Sequence, residues 1–159
     1  LERFNGKLAE DVAAVCYFYM LPNRSVMSSL FARSVPTIEA KCIPYVYPAL
    51  GWLFSILLQL NKPRIDDALI RIRIVLEQTD GRLSDGRSYI SGELLTVADV
   101  ALASALAPLL LPAEYFAPVP KYEQMPPELR VIVTDLRDRP TAMLVQKLYS
   151  GFAVKLNER

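Results

Sequence analysis

The side chains best equipped for acid–base and nucleophilic work are scarce in this sequence, and one type is missing. There is no histidine. That removes a Ser-His-Asp triad, a Cys-His pair and the commonest zinc ligand. Cys16 and Cys42, the two cysteines, have neither a metal-ligand spacing nor the numbers for a disulfide framework. A catalytic thiolate needs a neighbouring base or a helix N-terminus; without one, both read as buried thiols. No catalytic residue and no metal site is expected. Binding chemistry remains. Tyr17, Phe18 and Tyr19 are adjacent, and Tyr17 lies off the apolar stripes, so it can bring a hydroxyl to a ligand. Phe18 shares a stripe with Ala14 and Leu21, and simple packing is its plainer reading. Arg24, just after Pro22, can meet an anionic group, although a solvated loop arginine is the default. Tyr115 and Tyr122 fall in a proline-containing stretch and read as plugs at the end of a bundle. Arg71, Arg73, Glu77 and Arg82 read as a solvated helix face, with Arg73 and Glu77 an ordinary pair four apart.

The elements that must position these groups read as helices separated by prolines, of which there are twelve against six glycines. Asn5 is placed to cap a helix over 5–20, with Leu8, Val12, Val15 and Tyr19 on one face. Pro22 stops it, and Asn23 can cap a short helix over 23–31. In 63–84, Ile65, Leu69, Ile72, Leu76 and Leu83 recur at helical steps, while Asp66, Asp67, Arg71, Arg73 and Glu77 fall elsewhere. Ile70-Arg-Ile-Arg-Ile74 alternates and alone would read as a strand; the longer stripe favours helix. Thr96 and Asp99 have the spacing of a capping box, Asp replacing the more usual Glu or Gln, and Leu95 and Val100 have that of a hydrophobic staple. These four read as structural, starting a helix over 97–111 that is apolar nearly all round and therefore central. Pro108 is expected to kink that helix and Pro112 to end it. Pro127 opens a further helix with Leu129, Ile132, Val133 and Leu136 inward. Arg139-Pro140 breaks it, and Thr141 can cap a last helix over 141–154. No internal repeat, low-complexity tract or βαβ unit is evident.

The 159 residues suffice for one domain with a single core, spanning 1–159, and an apolar share of 52% argues against disorder. With 18 basic and 17 acidic residues, no charge imbalance points to nucleic acid. Two unpaired cysteines suit a reduced, cytoplasmic setting. No signal-peptide pattern follows the opening Leu1-Glu2-Arg3-Phe4, and the absence of Met there suggests a piece of a longer protein. Residues 42–61 form twenty consecutive uncharged positions between Lys41 and Lys62, long enough to span a bilayer, with Tyr45, Tyr47 and Trp52 as a belt. Pro44 and Pro48 shorten the clean helical run to 49–60, and the neighbouring helices need a partner. A buried core helix is the favoured reading, a membrane span the other; the apolar excess can also cover a partner domain or subunit.

Several pieces occur in a telling order: Asp80-Gly81, then Asp85-Gly-Arg-Ser-Tyr-Ile-Ser-Gly92, then Leu95-Thr-Val-Ala-Asp-Val100, a long apolar helix, Pro127, and Arg-Asp-Arg-Pro140. This set resembles the C-terminal helical domain of the glutathione transferase family, over 63–150 most closely. Over 1–62, the tyrosine-rich helix and Leu21-Pro-Asn-Arg24 are similar to a bacterial-type branch. The resemblance implies an all-α bundle of about six to seven helices following a thioredoxin-like domain that is absent from this sequence. That partner domain would bind glutathione as co-substrate and activate its thiol. The helical domain would supply the apolar wall for a small electrophile, with Tyr17, Phe18 and Arg24 as the pocket candidates, and would take part in a homodimer. Alone it would be inactive. Two competing readings are a protein-interaction scaffold of the same fold and a membrane-associated helical protein using 42–61.

Overall fold

A computed structural model describes residues 3–33, 36, 42–115 and 117–157, with side chains described over 6–32, 36, 42–115 and 117–151. Among the described residues the architecture is all-α and contains no strand, only an isolated bridge between Tyr89 and Gly92. Seven α-helices follow in order: α1 (Ala9–Met20), α2 (Arg24–Arg33), α3 (Ile43–Leu57), α4 (Lys62–Leu83), α5 (Val97–Leu110), α6 (Pro127–Arg137) and α7 (Pro140–Asn157). A π-helical turn over Arg3–Leu8 runs directly into α1. Helical backbone therefore begins before Asn5, which is not the start expected for a cap; the Asn5 side chain lies outside the described residues.

α5 is the axis of the bundle. It packs against α1, α6 and α7, and α1 packs in turn on α4. Leu102, Leu106, Leu109 and Leu110 are fully buried, each contributing roughly 1.5–3 kcal/mol through burial alone. α4 turns Ile65, Leu69, Ile72 and Leu76 inward while Ile70 and Ile74 stay exposed, so the helical stripe prevails over the local alternation. Asn61 caps α4 by accepting from the Arg64 N–H at 3.0 Å. Asn23 starts α2 in the same way, accepting from the Val26 N–H at 3.5 Å.

Other helix ends are secured across the fold. The Asp80 carboxylate on α4 accepts from both the N–H and the hydroxyl of Thr141, at 2.8 and 2.6 Å. Helix α7 starts at Pro140, so Thr141 sits inside its first turn and does not cap it. The acceptor comes instead from a carboxylate 61 residues earlier. At the other end of α5, Arg137 donates to the carbonyls of Leu110 and Leu111 at 2.7 and 3.1 Å, satisfying acceptors that a helix C-terminus leaves open.

Two surface expectations fail for one reason: long side chains reach across helices. Arg71 does not belong to a solvated face. With Arg64 it clasps Asp11, which is 1% exposed, at 2.7 to 2.9 Å. Arg73 pairs with Asp135 at 3.3 Å rather than with Glu77, and Glu77 approaches Arg139 at 4.0 Å.

The uncharged run does not form a buried core helix. α3 buries only Ile43 and Tyr47, and Tyr45, Trp52 and Leu57 are 87%, 67% and 68% exposed. It packs on α2 rather than under the bundle. It is also helical from Ile43, because Pro44 falls in the first turn, where no N–H is needed. No single helix among the described residues is long and apolar enough to cross a membrane; α3 and α4 qualify only as a pair, bent by 63°.

Candidate functional site

The motif region around Asp99 is a structural joint. The Asp99 half of the Thr96–Asp99 capping box is made, while the Thr96 hydroxyl donates to Asp99 and bonds no helix N–H. One Asp99 oxygen accepts from the Thr96 N–H at 2.8 Å and from its hydroxyl at 2.5 Å. The other accepts from the Ile90 N–H at 2.8 Å. Asp99 is fully buried, yet both oxygens are engaged, which is the condition for burying a carboxylate at tolerable cost. Tyr89 and Gly92 exchange reciprocal backbone hydrogen bonds across a tight turn, Gly92 at a φ of 131° that other residues avoid. The turn drives Ile90 into the core at 2% exposure. The Tyr-Ile-Ser-Gly and Thr-Val-Ala-Asp segments thus act together, pinning a loop onto the first turn of α5. Leu95 and Val100 flank the box at 43% and 38% exposure.

A ligand could enter elsewhere. A cavity of about 400 Å³ lies between α1, α2, α5 and the stretch 115–125. Its wall includes Ala13, Cys16, Tyr17, Met27, Phe31, Ser104, Pro108 and Tyr115, and none of the described residues lining it is charged. Small side chains on α1 and α5 (Ala9, Ala13, Ala105) leave the room, while methionines and prolines supply soft, apolar walls. The volume suits a small organic molecule.

The polar groups on this wall are hydroxyls and one thiol. Burial raises the Tyr17 hydroxyl above its ordinary range, and the neighbouring Cys16 adds to this. Tyr115 is raised by burial, and by Tyr149 and Cys16 beside it. Both therefore remain protonated near neutrality and act as hydrogen-bonding groups, not bases. Burial pushes the Cys16 thiol up to about 12, so it carries essentially no thiolate at neutral pH. Cys16 has a local task instead. Pro108 interrupts the hydrogen-bond ladder of α5, and Pro112, four residues on, has no N–H to return to the Pro108 carbonyl. The Cys16 thiol lies 3.8 Å from that carbonyl and donates to it. Cys42, expected to be buried, is exposed; it immediately precedes α3, the least covered helix.

The three candidate pocket residues part company here. Tyr17 lines the cavity. Phe18 and Arg24 do not; they border a separate, more open groove of about 360 Å³ with Tyr47, Gly51 and Trp52. The physical reason is helical geometry: Tyr17 and Phe18 are adjacent in sequence, so their side chains leave α1 about 100° apart. Tyr115 is more than a plug, since it reaches the cavity wall and meets Tyr149 edge-on at 5.7 Å. Tyr122 serves structure: its hydroxyl lies 2.8 Å from that of Thr134, and the Arg137 guanidinium sits over its ring at 5.3 Å. The contributions of Phe31, Met27 and Pro108 to the wall had no distinct sequence signal, because apolar residues facing a cavity and facing a core look alike in one sequence. Among the described residues no group of three His, Cys, Asp or Glu side chains could hold a metal ion.

No family model, curated protein or solved structure matches the chain.

Proposed function

We propose that this chain is the helical half of a glutathione transferase-like protein, in which the 400 Å³ cavity receives a small apolar electrophile. The observation that carries the reading is a partly open apolar pocket whose described lining residues carry no charge and so supply no positive field for a thiolate. Conjugation needs a thiolate, hence a donor or positive field that lowers a thiol pKa. This cavity does the opposite to its own cysteine. In this reading a thioredoxin-like partner domain holds glutathione and ionises it, and the helical half shapes the second substrate site, with Tyr17 and Tyr115 as its polar contacts. The whole protein acts in the cytoplasm as a homodimer. The ordered motif set from Asp80 to Pro140 supports the reading, because the tight turn, the capping box and the Asp80–Thr141 contact give those residues one coherent architectural use.

The test joins two preparations. The protein containing this chain with its upstream sequence should bind immobilised glutathione and conjugate a chromogenic aryl halide. The chain alone should bind an apolar fluorophore but form no conjugate. Ala13→Leu fills the cavity from a half-buried position and should raise KM for the aryl halide by about tenfold, the effect of roughly 1.4 kcal/mol of lost binding, with affinity for glutathione unchanged. Conjugation by the isolated chain, or no glutathione binding by the longer protein, refutes the proposal.

A second reading, a protein-docking module of the same architecture, draws on the exposed apolar face of α3. It predicts a linker or unrelated domain upstream, and no thiol chemistry in either preparation.

A further inference from the structure

The groove that took Phe18 and Arg24 away from the cavity has a chemistry of its own. Its floor and walls are apolar: Phe18 and Leu21 from the end of α1, Pro22, Pro48 and Leu60. Among the described residues Arg24 is the only charged one lining it. Two of its hydroxyls are already committed, Tyr47 donating to the Leu21 carbonyl at 2.6 Å and Ser55 to the Gly51 carbonyl at 2.8 Å. The Arg24 guanidinium and the Trp52 indole N–H make no side-chain hydrogen bond or ion pair with a described residue. So the groove offers apolar surface together with a cation and an indole donor that have no hydrogen-bond or ion-pair partner among the described residues.

We propose that this groove binds a small amphipathic anion, a carboxylate on an aliphatic body, with the carboxylate on Arg24 and the aliphatic part against Phe18, Pro48 and Trp52. Guanidinium matches a carboxylate in charge and in fork geometry. The aliphatic portion gains from covering Trp52, which is 67% exposed. Gly51 lines the groove, and a Cβ added there meets nothing within 4 Å, so a larger side chain can be introduced without a clash at its first atom. The site shares no lining residue with the cavity and does not depend on the transferase reading.

Trp52 is the single tryptophan, so intrinsic fluorescence of the full chain reports on this groove alone. Decanoate, kept below its micelle concentration, should shift Trp52 emission to the blue with saturation. Decanol should bind about tenfold more weakly, the worth of one charge-assisted contact. Arg24→Leu should bring decanoate down to the affinity of decanol. Gly51→Leu should abolish both signals. It replaces a helical glycine by a better helix former, so retained helicity by circular dichroism is expected. The proposal is overturned if decanol matches decanoate in the unaltered chain, or if Arg24→Leu keeps the preference for the anion. It also fails if emission shifts only with vesicles containing anionic phospholipid, which would assign the face to a lipid surface.

Discussion

The bundle around α5 and the arm formed by α2 and α3 are built from different interactions, although one continuous chain makes both. Around α5, apolar side chains fill the interior and polar side chains are spent on helix ends and cross-helix pairs: Asp99 at its start, Arg137 at its finish, Asp80 at the start of α7, and Asp11 between two arginines. The polar fastenings shown between the arm and the bundle are fewer: the Tyr47 hydroxyl on the Leu21 carbonyl and Asn23 on the Gln124 carbonyl. The arm is held by rings. Tyr17 of α1 stacks on Phe54 of α3 at 5.0 Å, Phe54 on Phe31 of α2 at 6.1 Å, and Phe31 leans on Tyr47 at 6.1 Å. The difference teaches that a hydrophobic segment need not be a core segment. α3 is the most apolar stretch of the chain, yet it contributes little to the interior and much to the surface.

The sharpest way to break this comparison is to cut equally deep into each half. Leu106→Ala should cost about 2–5 kcal/mol, as cavities in close-packed cores do, whereas Leu57→Ala on the exposed face of α3 should stay within about 0.5 kcal/mol. Urea unfolding of both measures it; equal losses would mean that the arm belongs to the same cooperative core. Asp11→Ala follows, at about 3 kcal/mol, because it leaves two arginines facing a partly buried void. Its pH dependence has a definite sign. Burial pushes the Asp11 carboxyl up, but the hydrogen bonds and charges of Arg71 and Arg64 outweigh that and hold it below its ordinary value. A carboxyl depressed in the folded state stabilises fully above its unfolded pKa near 3.9, and this contribution is lost as pH falls through the lower folded value. Thermal melts at descending pH should show that acid loss in the parent, with a smaller loss in Asp11→Asn.

Smaller effects sharpen the contrast. Asp99→Ala orphans the N–H groups of Ile90 and Thr96 and should cost about 2 kcal/mol, against about 1 kcal/mol for Thr96→Ala. Phe54→Ala should lower global stability least, since ring stacking beyond area burial is worth about 0.5–1.5 kcal/mol. Its signature is local: hydrogen exchange should accelerate across residues 43–57 and stay unchanged in α5. Faster exchange in α5 as well would show the two halves unfolding together.

Much of the bundle was legible because its signals are local. The stripe Ile65-Leu69-Ile72-Leu76, the spacing of Thr96 and Asp99, and Pro127 at a helix start each act within a turn or two. What sequence reading missed is non-local. Nothing near Arg71 announces Asp11, 60 residues away, and nothing near Thr141 announces Asp80. Residues 42–61 misled for a related reason: hydropathy reports what a segment would gain by burial, not whether the fold has a place to bury it. For the candidate site, Tyr17 could be singled out as a polar tip off the apolar stripes. Its separation from Phe18 and Arg24 required knowing that the α2–α3 arm lies against α1 and brings Phe31 to the cavity and Tyr47 to the groove.

The two fastenings of α5 have a mechanical consequence. With Asp99 anchoring one end and Arg137 the other, the helix behaves as an axle seated in two bearings; sliding or turning it requires both sets of bonds to break at once. Ser104, Ala105 and Pro108 lie between those bearings, so that side of the cavity cannot yield to a bulky guest. The other walls are not seated in this way: Met27 and Phe31 belong to the arm, and Pro118, Val119 and Pro120 lie outside every helix. Room for a larger guest is therefore expected from these walls, and exchanging Pro118 and Pro120 should change which guests fit while leaving the thermal stability of the bundle as it was.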